Sequence, residues 1–421
     1  MKLFETSGRS ARKTADVIAK LERRGSTVKN RVMLRVERIV RDVKRGGDKE
    51  LRRYAAKLDG LPVDQPLLVA KKAMAEALAA TPPLVRDALE TAAANIRSFA
   101  ERQLPHDFDF EVTEGVVAGQ RVRPLNAVGC YVPSGRYPLP STLLMTAIPA
   151  RVAGVKRIVA VSPKPSRDTL AAAALLGIEE FYAIGGAHAI AALAYGTKSV
   201  ARVDKIVGPG NVYVTAAKKL VAHDCGIDML AGPTEIGVTS DDGDPELIAS
   251  DIVAQCEHDV EALAVFITTN AKLAKKVMRE TKIQARKNAT AKAALAKNAY
   301  VFLAASVEEA RSLTNLLALE HLTVDNASDV EWVTSAGSVF VGKWSAQAFG
   351  DYITGPNHTL PTGGLAHVRG GLSVLDFVKI VTVQQYTAAG VQALGPAAIS
   401  LAECEGLSGH AEAVRLRLAH V

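Results

Sequence analysis

Apolar and polar positions along the chain fall into three successive regimes. Over residues 1–105 they recur at helical spacing: Val32, Val36, Ile39, Val40 and Val43 make one apolar stripe, with arginines on the opposite face. Gly46-Gly47 and Asp59-Gly60 punctuate this region, and a long helix is predicted over 83–101. From 107 to 130 period-two alternation takes over, as in half-buried strands. A strand–helix rhythm follows, with strands at 157–161, 179–184, 204–207 and 227–230 and helices opening at Ala187 and Val212. This is the βαβ signature of a parallel sheet. After Ala231-Gly232-Pro233 a second series places strands at 235–239, 262–268, 300–304, 321–324 and 338–341, separated by helices. Residues 349–371 lack periodicity and are rich in Gly, Pro and Thr. A loop of that length inside a compact domain is usually functional, so site residues are expected there. Beyond Gly371 the chain returns to helix, ending in short pieces at 401–405 and 411–416. A tail of about forty residues cannot bury a core alone and must dock on something else.

Composition adds limits. With 421 residues, 48% hydrophobic and 23% charged, the chain has room for two large globular domains. Its net charge of +7 is concentrated at one end: residues 1–50 hold fifteen Lys/Arg against seven Asp/Glu, so the other 371 residues sum to −1. Phe4 is the only aromatic in that basic segment, which argues against nucleic-acid binding and for a solvated helix face. Cys130, Cys225, Cys256 and Cys404 form no C-x-x-C pair, so neither a disulfide framework nor a cysteine zinc knuckle is expected. No signal-like apolar run opens the chain, and the apolar stretch at 126–155 is broken by Arg136, Arg151 and prolines. A cytoplasmic protein without a membrane span is the expectation.

The candidate chemistry is dispersed. The nearest approach to a dinucleotide fingerprint, Gly208-Pro-Gly210-Asn211-Val-Tyr213, fails at its sixth position. It still opens a helix after a strand, as does Gly185-Gly186-Ala-His188, so either turn can present amides to an anion or be simply a tight turn. Asp244 and Pro245 start a helix whose far end carries Gln255 and His258 at i, i+3. That spacing suits two metal ligands, and a helix end favouring an imidazole accounts for His258 equally. Glu320-His321 follows a helix opening with the capping box Ser306-x-x-Glu309. The pair reads either as two bases at a strand mouth or as a polar turn. Asp351 and His358 lie in the long loop, Glu405 and His410 in the tail.

Taken together in order, several blocks resemble the histidinol dehydrogenase family along essentially the whole chain. They are Cys130 through Thr142, Pro149 through Gly154, Gly185-Gly186-Ala187, Val203 through Asn211, Asp228-Met-Leu-Ala-Gly-Pro-Thr-Glu235, Gln255-x-x-His258, Glu320-His321-Leu322 and Gly350 through Thr362. The resemblance implies a homodimeric enzyme of histidine biosynthesis that oxidises L-histidinol to L-histidine with zinc and two NAD, through histidinal. Gln255, His258, Asp351 and His410 match the zinc ligands, His410 serving the partner's site, and Glu320 and His321 match the general bases. Thr234, Gln255, His258, His321, Asp351, His358, Glu405 and His410 match substrate-contacting positions, while Tyr131, His188 and Asn211 match NAD-contacting ones.

This sequence departs from the family pattern at His188 (usually Gln), at Leu319 (usually Pro) and at Ser162-Pro-Lys-Pro (commonly Thr-Pro-Pro). The expected fold is α/β, with two Rossmann-like parallel-sheet domains lacking GxGxxG and small helical appendages at both termini. Its expected divisions are a helical arm at 1–25, a catalytic and metal domain from 26–130 with 236–372, an NAD-binding domain at 131–235 and a helical dimerisation tail at 373–421. Two alternatives accompany this reading: a paralogue oxidising another small polar alcohol such as a sulfonated diol, and a basic-arm binding protein on a disabled scaffold.

Overall fold

The computed structural model describes residues 1–25, 28, 30–134 and 137–421. Gly135-Arg136 of the first motif block, and residues 26, 27 and 29, lie outside the described residues. Fourteen strands are found there: β1 (Lys2–Glu5), β2 (Phe108–Thr113), β3 (Val116–Pro124), β4 (Ala127–Tyr131), β5 (Arg157–Val161), β6 (Glu180–Tyr182), β7 (Lys205–Val207), β8 (Gly226–Ile227), β9 (Glu235–Thr239), β10 (Leu263–Thr268), β11 (Ala299–Leu303), β12 (His321–Val324), β13 (Ser338–Val341) and β14 (Val378–Tyr386).

Two parallel sheets carry the molecule. One is ordered β6-β5-β4-β7-β8 and the other β1-β11-β10-β9-β12-β13. Numbered from β4 and from β9, both run 3-2-1-4-5, the doubly wound order, with β1 added at the edge of the second, so the expected pair of Rossmann-like units is present. The strands read as near-continuous apolar runs because helices cover both faces. Leu263–Thr268 is buried throughout and Ala127–Tyr131 likewise. A third, antiparallel sheet, β14-β3-β2, stands apart. Among the described residues no helix is long and apolar enough to cross a membrane.

The expected divisions are corrected by the packing in four places. The arm at 1–25 is not simply helical: β1 pairs in parallel with β11, Lys2 opposite Tyr300, extending the second sheet by one strand. Much of 30–130 packs on the first sheet rather than on the sheet of 236–372. The helix Asn30–Tyr54 sends Val36, Val40, Val43 and Leu51 into the core of the first sheet, beside Val159 and Ile190. The helix Pro83–Arg102 likewise buries Ile96 near Leu143. A boundary at 130/131 would cut β4, the central strand of the first sheet. The tail begins with a nine-residue strand, because the Val-Lys-Ile-Val-Thr-Val alternation of β14 finds β3 as an antiparallel partner. The two helices that follow, Ala388–Cys404 and Ser408–Ala419, are longer than their sequence suggested and pack on each other.

The single chain leaves the third sheet open, with Phe108, Phe110, Ile380, Val381 and Tyr386 exposed. Phe108, Phe110, Ile380 and Tyr386 share one face of it by register, and an exposed apolar face of this kind marks an interaction site.

The docking of the helix Asn30–Tyr54 on the first unit gives a stability test. Leu51 is fully buried, and Leu51→Ala should cost about 2–5 kcal/mol in urea unfolding. Leu34, exposed on the segment before the kink at Gly47 (φ 53), should change stability by less than about 0.5 kcal/mol when replaced by Ala. Equal effects at the two positions would contradict this packing.

Candidate active site

The candidate residues gather where the starts of two neighbouring strands meet the long loop. Strands β9 and β12 are adjacent, His321 lying opposite Ile236, so Thr234-Glu235 and Glu320-His321 emerge side by side. The helix Pro245–Cys256 runs back from β9 and brings Gln255 to the same edge. Asp244 caps its start, accepting from Glu246 N at 2.8 Å. The short helix Gln347–Tyr352 supplies Asp351. Ahead of Glu320, the helix Val307–Leu317 ends at Ala318, a non-glycine residue held in the left-handed region (φ 44). Leu319, at the usual Pro position, is buried, and its carbonyl accepts from Gly337 N at 3.0 Å. The junction is therefore held by packing and backbone pairing rather than by a ring.

Glu320 and His321 lie deep in the strand mouth, 7% and 3% exposed, which excludes the polar surface turn. Glu320 Oε2 accepts from Thr234 Oγ1 at 2.7 Å and from Glu235 N at 2.8 Å; among the described residues its Oε1 receives no protein donor. The Thr234 hydroxyl also lies 3.2 Å from Gln255 Oε1, and Gln255 Nε2 donates to Asp351 Oδ2 at 3.1 Å. Asp351 Oδ1 is 3.3 Å from His321 Nε2. On the other side of the ring, His321 Nδ1 sits 3.3 Å from the Glu235 carbonyl and 3.5 Å from Glu320 Oε2. Thr234, Gln255, Asp351, His321 and Glu320 thus form one closed polar circuit.

Electrostatics follow from this arrangement. Burial opposes charge on the His321 imidazole, but Glu320 and Asp351 outweigh it and raise its pKa to about 10. Burial would raise Asp351, yet the His321 bond and the fields of His321, His358 and His258 hold it below the usual carboxylate range. Burial pushes His358 down, against Asp351. His358 bridges the two units: its Nδ1 is 2.8 Å from the Asp351 carbonyl, and its Nε2 is 3.3 Å from the hydroxyl of Thr142, on the helix after β4.

His258 falls just past the helix end, exposed in the wall of a cavity of about 530 Å³ that is also lined by Leu89, Pro140, Leu144 and Tyr352. Glu405 and His410 are not brought there. They line a separate hollow on the tail with Leu401 and Leu407. Among the described residues, no three His, Cys, Asp or Glu of one chain converge as a metal cluster. The donor chemistry nonetheless suits a borderline cation such as zinc: a carboxamide, a carboxylate and imidazoles. No thiol is among these donors, and burial pushes Cys130 and Cys256 up to about 12.

The expected cofactor-contacting residues lie at the other unit's strand ends, where β4, β6 and β7 finish. Asn211 caps the helix Val212–Val221, its Oδ1 taking the amides of Tyr213 and Val214 at 3.0 and 3.3 Å. Gly208 N donates to Asp228 Oδ2 at 2.7 Å, and Lys218 pairs with that buried carboxylate. Gly185 N donates to Asp59 and Gly186 N to the Tyr131 hydroxyl. The anion-cradle expectation is corrected accordingly: these three glycine amides are taken by side chains. His188 is wholly buried, bonded to Asp59 rather than facing open space.

A family model described as histidinol dehydrogenase matches residues 22–418. The chain belongs to the histidinol dehydrogenase family. A histidinol dehydrogenase of Gluconobacter oxydans is 41% identical over 99% of each chain. One from Methanothermobacter thermautotrophicus is 44% identical, over 90% of this chain and 92% of its own. The crystal structure of histidinol dehydrogenase from Elizabethkingia anophelis superposes with a TM-score of 0.93 at 33% identity, covering all of this chain and 98% of that one.

Sequence reasoning missed Arg24, which reaches this candidate site from the N-terminal segment. It grips Glu235 through two bonds of 2.7 and 2.8 Å and also donates to the Leu21 and Leu317 carbonyls. Glu235 in turn accepts from Gly363 N of the long loop at 2.9 Å. Only the Thr-Glu step in the Gly-Pro-Thr-Glu block hinted at a buried acid. Arg24→Met would leave Glu235, 4% exposed, without its counterion and should cost about 3–5 kcal/mol in urea unfolding. A loss under about 1 kcal/mol would show that the pair does not anchor the site.

Proposed function

We propose that the protein oxidises L-histidinol to L-histidine in two NAD-dependent steps through a retained histidinal, as a zinc enzyme of histidine biosynthesis acting as a homodimer with shared sites. The observation that supports this most directly is the closed circuit of Thr234, Gln255, Asp351, His321 and Glu320, together with membership of the family. Gln255, His258 and Asp351, with His410 of the partner subunit, would hold the zinc. When bound, zinc supplies a Lewis acid and a template for the imidazole and amine of the substrate. Thr234, His358 and the partner's Glu405 would complete the substrate contacts, and Tyr131 and Asn211 would face the dinucleotide.

His321 accepts the hydroxyl proton as the carbinol carbon releases hydride, giving the aldehyde. Glu320, anchored through Oε2, has Oε1 left to take a proton from the water that adds to that aldehyde, and a second hydride then leaves the hydrate to give the acid. A ligand role for Asp351 also draws its charge away from His321, which weakens the pull that keeps the imidazole protonated. Burial of both bases excludes bulk water, so the aldehyde is hydrated where Glu320 stands rather than in solution.

The expected stoichiometry is two NADH per L-histidinol with little free aldehyde; one NADH with accumulating histidinal would reject the four-electron reaction. His321→Asn should lower turnover by roughly 10²–10⁴-fold with zinc still bound. Glu320→Gln should impair oxidation of supplied histidinal more than oxidation of histidinol to histidinal, and equal impairment would contradict the division of labour.

A further inference from the structure

Both amides of the turn into the helix Gly186–Tyr195 are occupied by side chains from elsewhere. Gly185 N donates to Asp59 Oδ2 at 2.9 Å, and the same oxygen lies 2.7 Å from His188 Nε2. Gly186 N donates to the Tyr131 hydroxyl at 3.0 Å. Asp59 arrives from the π-helical turn Ala55–Asp59 that closes the helix Asn30–Tyr54, with Gly60 left-handed behind it (φ 70). The turn has no slack: a Cβ on Gly185 would lie 2.4 Å from Pro163, and Gly186 has φ +57.

His188 is 0% exposed, stacked on Tyr54 at 27°, and among the described residues its Nδ1 has no partner. With the proton on Nε2 and given to Asp59, Nδ1 is left as a lone pair rather than an orphaned N–H, the less costly of the two. Burial pushes the Tyr131 phenol up to about 12, so its hydroxyl keeps its proton. Its oxygen accepts from Gly186, and among the described residues no acceptor takes its proton.

We infer that Asp59 and His188 are positioning residues for Tyr131: they lock the Gly185-Gly186 turn so that the Gly186 amide fills a lone pair of the Tyr131 hydroxyl and leaves its proton for an acceptor on the dinucleotide. The inference rests on the proposed NAD site at this turn. It makes Tyr131 the side chain that touches the cofactor there, with His188, in place of the family's usual Gln, acting behind it through Asp59.

The test is NAD affinity measured by titration calorimetry on the full-length, zinc-loaded protein. Tyr131→Phe and Asp59→Ala should each weaken NAD binding about tenfold, the loss of one directed hydrogen bond, with L-histidinol affinity and zinc content held. The double variant should be no weaker than either single one, since Asp59 acts through Tyr131. His188→Gln, whose amide can still donate to Asp59, should recover most of what His188→Ala loses. Losses that multiply to about a hundredfold in the double variant, or an Asp59→Ala protein that binds NAD like the parent, would overturn the inference. If Asp59→Ala fails to fold, the same cycle is run with His188→Ala and read in the same way. A parent protein that oxidises L-histidinol yet binds no NAD would overturn the proposed cofactor and this inference together, a failure visible before any variant is made.

Discussion

A carboxylate removed from water must be met by donors, and three such groups organise this molecule: Glu235, Glu320 and Asp351. None finds its donors on its own element. Glu235 is met by Arg24 from the N-terminal segment and Gly363 from the long loop; Glu320 by Thr234 and the Glu235 amide; Asp351 by Gln255 and His321. Each acid therefore ties together segments separated in sequence, from 30 residues between Asp351 and His321 to 211 between Glu235 and Arg24. The same bonds that make burial tolerable fix the relative positions of the candidate bases and ligands. Stability and chemistry are in this sense one network.

The two sheets face the site with opposite ends. In open α/β sheets ligands lie beyond the carboxyl ends of the strands, and β4, β6 and β7 follow that rule with Tyr131, Gly185-Gly186 and Gly208–Asn211. The second sheet does not: Glu235 and His321 stand at strand starts, and Gln255 reaches them because its helix runs antiparallel to β9. His358 and Thr142, 3.3 Å apart, lie where the units meet. On the proposed reading, substrate and dinucleotide approach each other across that seam, with the reacting carbon between the two units.

Most strands were legible because parallel strands covered on both faces are apolar runs bounded by turns. Those at 235–239, 321–324 and 338–341 are found at the predicted bounds. β1 was not legible, since four residues of Lys-Leu-Phe-Glu carry too short a pattern and their partner β11 lies almost three hundred residues away. β14 was hidden by an expectation of helix after Gly371, though its alternation matches β3. In the site, Gln255, Glu320, His321, Asp351 and His358 came from residue types and spacing together with the family resemblance. Arg24, Asp59 and Thr142 carry no local signature: an arginine after a helix or an aspartate before Gly60 becomes a site residue only through contacts the fold creates. The role of His188 was equally beyond reach, because burial against Asp59 cannot be seen in a Gly-Gly-Ala-His string.

Glu405 and His410 line a hollow on the tail, apart from Gln255 and Asp351, while the third sheet leaves Phe108, Phe110 and Ile380 bare. Both features are accounted for if a second chain covers that sheet and each tail completes the other subunit's site. The most direct measurement is complementation between two inactive variants, His258→Ala and His410→Ala, refolded separately and as a mixture. Shared sites predict recovered activity in the mixture, because a mixed dimer contains one site in which both residues are intact. No recovery, with subunit exchange demonstrated independently, would contradict the account, since sites built within single chains leave both sites of every mixed dimer damaged.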